Sequence, residues 1–169
     1  MPGRAARQLP ESQVYQDLRA QILSLDPASA GLQQGSPRQV VWGAMMETGY
    51  PRGTATLVAL ADGTTSLYLS TGGGVIGGGF HQAVAAATRS LLAELKRYLP
   101  MLAPDPGTML PATGQVVIRA LTYTGRMSAQ ASEDDLGNGR HQLSPVFRAA
   151  HRVITELRLL DEARQGRMT

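Results

Sequence analysis

The triplet Ala61-Asp62-Gly63 constrains the fold more than any other feature of the chain. An Asp-Gly pair supplies the positive φ angles of a tight two-strand turn, and alternating runs flank it at residues 54–60 and 64–71. Those runs are expected to form antiparallel neighbours. A third run at residues 39–47 precedes them, with Val41, Gly43 and Met45 on one face and Val40, Trp42, Ala44 and Met46 on the other. Both faces are apolar, so this strand is expected to be central and covered twice. Residues 48–53 read as the turn that leads into the second strand.

Helical periodicity brackets these strands. Ser12 reads as an N-cap, and Val14, Leu18, Ile22 and Leu25 follow on one face until Pro27 stops the helix. Phe80, Val84, Ala87, Leu91, Leu95 and Leu99 repeat at three and four and end at Pro100. A proline-rich stretch at 101–113 reads as a crossing loop. Residues 115–121 and 126–131 read as two more strands, the second more polar and hence an edge. An acidic, glycine-containing loop follows at 132–142. Ser144-Pro145 then reads as an N-cap with Pro at the first helical position, opening a last helix to about residue 163.

The expected fold class is α+β: a sheet of about five strands, mostly antiparallel, with helices packed on it in the order α-β-β-β-α-β-β-α. Three consecutive strands before a helix argue against a doubly wound parallel sheet. The element count resembles profilin-like and roadblock-like folds, which place two strands before the middle helix and three after. The split is reversed here, so the resemblance concerns architecture and implies no function. The length of 169 residues fits one domain, expected at 12–165, with a loose arm at 1–11 and a loose tail at 166–169.

Composition removes several function classes. There is no cysteine, so disulfides, thiolate metal sites and cysteine nucleophiles are excluded. No apolar run is long enough for a membrane span, and cytoplasmic residence is the default expectation. The formal charge is +3, and Lys96 is the only lysine beside fifteen arginines. These are scattered; the nearest approach to a cluster is Arg148, Arg152 and Arg158. Nucleic-acid binding is not expected from so dispersed a charge.

The glycine tract at 72–79 holds six glycines in eight positions, between a strand and a helix. Backbone N–H groups at a helix start attract anions, and glycine lets a ligand approach the backbone. Gly73, Gly74, Gly77 and Gly78, with His81 and Arg89 in support, are therefore the candidate ligand-binding residues. Gly72, Gly74 and Gly77 match the spacing of a dinucleotide fingerprint, but the tract follows an antiparallel hairpin, and no acidic residue stands where a ribose needs one. No lysine follows, as a phosphate-binding loop requires. The plainer expectation is a backbone bend.

No catalytic or metal-binding set emerges. Glu133, Asp134 and Asp135 lack the closing ligand of a calcium loop, because Pro145 occupies that position. His141, Ser144 and His151 carry neither a nucleophile elbow nor helical metal-pair spacing. No cofactor or metal is expected. In the last helix Val146, Ala150, Val153, Leu157 and Leu160 form a seam that serves either sheet packing or a dimer contact. The functional expectation is a small non-catalytic protein–protein interaction module that binds a protein partner or forms a homodimer. The alternative is a small-ligand or anion-binding protein using the glycine tract.

Overall fold

The structure is a computed structural model and describes residues 11–77, 80–107 and 109–167. Its elements are α1 (Gln13–Leu23), β1 (Val41–Tyr50), β2 (Gly53–Leu60), β3 (Thr65–Leu69), β4 (Gly74–Val75), α2 (Gln82–Arg97), β5 (Ala103–Pro104), β6 (Gln115–Thr122), β7 (Gly125–Ser132), α3 (Glu133–Gly137) and α4 (Ser144–Gly166). A single 3-10 turn, Leu99–Met101, follows α2. The strands form one sheet in the order β4-β3-β2-β1-β6-β7-β5, antiparallel at every pairing. No helix among the described residues is long and apolar enough to cross a membrane. The expected arm at 1–11 and tail at 166–169 fall largely outside the described residues, as do Gly78 and Gly79.

The α+β class and the antiparallel sheet agree with expectation; the strand count and element order do not. The sheet has seven strands. The two unexpected ones are only two residues long and lie in the glycine tract and the proline-rich stretch, where composition masks a strand. A short helix, α3, replaces the expected acidic loop, with Ser132 Oγ accepting from the Asp135 amide. β1 also runs on to Tyr50, so the reversal into β2 is the two residues Pro51-Arg52 and not the six of 48–53. β7 is not an edge, because β5 pairs with it at Met127 and Ser128.

Alternation along the strands assigns the two faces. Ala44 and Met46 of β1, Leu57 and Ala59 of β2, and Val116, Ile118 and Ala120 of β6 share an apolar core with α2 and α4, interrupted by a buried hydrogen bond between Thr65 and Thr88. Both helices lie side by side on that face. α2 turns in Val84, Ala87, Leu91 and Leu95, as its periodicity predicts. α4 turns in Val146, Ala150, Val153, Leu157 and Leu160 together with Phe147 and Ile154. Its first residue is Ser144, one later than an N-cap, because Leu143 holds that position.

The opposite face is mixed. Met45, Val58, Leu60 and Leu121 pack with Trp42 and Leu32 in a second, smaller apolar cluster. α1 lies over this face, at its start in a different rotation from the one expected. Val14 is 68% exposed, whereas Tyr15 is buried. Ser12 Oγ does cap the helix, accepting from the Tyr15 amide. The stretch before β6 closes the remainder: the Gly114 amide donates to the Gly49 carbonyl, and the Ala112 backbone presses on Gly49 so closely that a Cβ there would overlap it. Gly49→Ala is expected to lower unfolding stability by about 1–3 kcal/mol, as overpacking at a close approach does, measured by urea denaturation with the slope unchanged.

Candidate functional site

The described glycines of the tract from Gly72 to Gly74 serve a strand turn. The Leu69 amide donates to Gly73 O, and the Gly72 amide donates to Leu69 O, so Gly72 and Gly73 close a hairpin between β3 and β4. Gly74 has φ +145°, a region closed to most side chains, and its Cα faces the Leu67 carbonyl, where a Cβ would overlap. Glycine is required there by the turn and by close strand approach. Gly77 also has positive φ, in open space. Gly78 lies outside the described residues.

His81 occupies the N-cap position of α2 but makes no side-chain cap bond. It lines a groove of about 340 Å³ between the start of α2 and the end of α4. Ala83, Val84, Leu159, Leu160 and Ala163 supply the apolar lining; Glu156, Arg164 and Arg167 supply the charges. The Arg164 guanidinium donates to the carbonyls of Ile76 and Gly77, fixing the connector between β4 and α2 beside the groove. That connector leaves Ile76 61% and Phe80 99% exposed, and Leu159 across the groove is 53% exposed. Arg89 is exposed elsewhere on α2 and does not line the groove.

The residues expected as an interface are spent inside the chain. Val146, Ala150, Val153, Leu157 and Leu160 are each at most 9% exposed and belong to the core against the sheet. Leu160 alone among them also lines the α2–α4 groove. Of the three residues weighed for catalysis, His141 Nδ1 accepts from the Leu143 amide and Ser144 Oγ accepts from the His141 amide. These bonds shape the turn into α4.

A buried ionic cluster lies beneath α1, unforeseen in the sequence. Glu47, fully buried in β1, accepts from Arg19 Nε (2.7 Å) and Nη2 (3.0 Å), from Arg119 Nη1 (2.7 Å) and from Thr56 Oγ1 (3.0 Å). Asp105 accepts from Arg119 Nε, Arg126 Nε and Ser128 Oγ. Arg126 also donates to the Leu23 carbonyl at the end of α1. Burial pushes the Glu47 carboxyl up, but the bonds and charges of Arg19 and Arg119 outweigh it and hold the group below its ordinary 4.5. Tyr15 is pushed up to about 12, chiefly by burial, against its bond to Thr56. The usable signal was a lone charge at Glu47 and another at Arg119, each inside an apolar strand run, where a charge persists only if paired.

His151, on α4, packs its ring against that of Phe147, centroids 4.3 Å apart and tilted by 54°. Its Nε2 is buried without a hydrogen-bond partner among the described residues. Burial, and secondarily the charge of Arg158, hold its pKa below the ordinary 6.5. It walls a cavity of about 110 Å³ between α4 and the sheet. No group of three or more His, Asp or Glu residues placed to hold a metal ion occurs among the described residues.

No protein-family model, curated protein or solved structure matches this chain.

Removing the Glu47 charge strands two guanidinium groups. Glu47→Gln is expected to cost about 3–5 kcal/mol, the range for breaking a buried pair, measured by equilibrium unfolding at neutral pH. Because the folded-state pKa lies below 4.5, the Glu47 contribution is present above that value and lost as pH falls through the folded pKa. The acid limb of the stability curve should therefore flatten in Glu47→Gln.

Proposed function

We propose that this chain is a small non-catalytic protein–protein interaction module that self-associates through the face around the α2–α4 groove. The single observation that carries the reading is the exposure of three large apolar side chains, Leu159 in the lining of the groove and Ile76 and Phe80 on the connector that leads into α2. Isolated exposed apolar residues are ordinary on protein surfaces, but large apolar side chains next to a concave lining are the kind of anchors that interfaces use. Both faces of the sheet are covered by helices and loop, so the contact lies on the outer helical surface. Of the α4 core stripe only Leu160 reaches the groove.

The test is sedimentation velocity over a concentration series. The wild-type chain is expected to shift toward dimer as concentration rises. Phe80→Ser combined with Leu159→Gln is expected to weaken association at least about tenfold with the melting temperature retained, since both side chains are exposed. A wild type that stays monomeric throughout contradicts the reading.

One observation favours a second reading, anion binding. The α2 start has no side-chain cap, and the cationic Arg164 and Arg167 line the same groove as His81. On this reading phosphate raises the melting temperature of the wild type, and Arg167→Gln removes the effect. Equal response of the two proteins to phosphate counts against it.

A further inference from the structure

We propose that the cavity between α4 and the β1–β3 part of the sheet is a binding site for a short-chain aliphatic monocarboxylate. It opens where the ends of these strands pass under the middle of α4, with a volume of about 110 Å³. Leu57, Leu67 and Ile154 form apolar walls, and Tyr50, 40% exposed, stands at its rim. Two polar groups on α4 lack the partners their chemistry calls for. His151 Nε2 is buried and unpaired. Arg158 lines the cavity from an exposed position and forms no ion pair among the described residues.

Each property selects the ligand. Apolar walls favour a ligand with an aliphatic body over a wholly hydrophilic anion such as phosphate or sulfate. A free guanidinium at the cavity favours a carboxylate, which it can bind through two parallel hydrogen bonds. No acidic side chain lines the cavity to compete for that cation. Burial disfavours the charged form of His151, and a neutral ring carries one N–H that can be donated to a carboxylate oxygen. The volume limits the tail to a few carbons, as in propionate or butyrate. This site is separate from the α2–α4 groove, and the two proposals stand or fall independently.

The experiment is an amide NMR titration of the full chain at neutral pH with acetate, propionate, butyrate and octanoate, against sodium chloride at matched ionic strength. Propionate and butyrate are expected to give saturable shifts confined to residues 46–50, 55–57, 67–69 and 151–158. Acetate should bind more weakly, and octanoate no better than butyrate. Arg158→Gln, at an exposed residue whose loss leaves the core intact, is expected to weaken butyrate binding by about tenfold or more. His151→Phe, which keeps a ring against Phe147, should weaken it as well. Absence of saturation, equal shifts with chloride, or unchanged butyrate affinity in Arg158→Gln or in His151→Phe would overturn the proposal.

Discussion

The fold depends on the carboxylate of Glu47. A fully buried charge on the central strand is tolerable only when its oxygens are satisfied, and here four donors converge on it from α1, β2 and β6. Arg119 carries the connection to Asp105, and Asp105 to Arg126. Arg126 returns to the last turn of α1. One chain of ion pairs thus fastens a helix and the segment after β5 onto the same sheet face. Hydrophobic burial alone does not fix α1 there, since Tyr15 is its only fully buried residue.

This polar fastening has a consequence for function. The other face carries α2 and α4 on an apolar core, a non-directional attraction that rewards area. With α1 and the stretch before β6 locked on the first face, neither sheet face is open to a partner. What remains is the outer helical surface, where the connector from β4 leaves Ile76 and Phe80 in solvent beside the groove. The glycines set up this arrangement by closing the β3–β4 hairpin, after which the chain crosses to the start of α2.

The sequence disclosed what periodicity encodes. Asp62-Gly63 turns the chain where expected, but with Gly63 alone at positive φ, 94°, in a connection over residues 61–64 in which Asp62 Oδ1 accepts from the Thr64 amide. The stripe of α4 is buried where its spacing places it, and that of α2 from Val84 to Leu95, whereas Phe80 precedes the helix and stands in solvent. Two-residue strands were illegible, because Gly74-Val75 and Ala103-Pro104 are too short for alternation and contain residues that usually break strands. The expected face of α1 holds at Ile22 and Leu25 but not at its start, where Tyr15 and Arg19 turn inward and Val14 outward; Arg19 reaching Glu47 is a polar contact that an apolar pattern cannot register. For the same reason the seam of α4 could be read as an interface: apolar spacing reports that a face is buried, not whether the chain itself or a partner buries it. The groove lies at a meeting of distant segments, and only the folded chain brings His81 to Arg164 and Leu159.

The most direct test of Glu47 as the fastening is hydrogen exchange mapped by residue in Arg19→Gln, which removes only the α1 arm of the cluster. The account predicts that amides of residues 16–23 lose protection while those of α2, α4 and the β1–β2 ladder keep theirs. Unchanged protection across α1 would contradict it, and would mean that apolar packing alone holds that helix on the sheet.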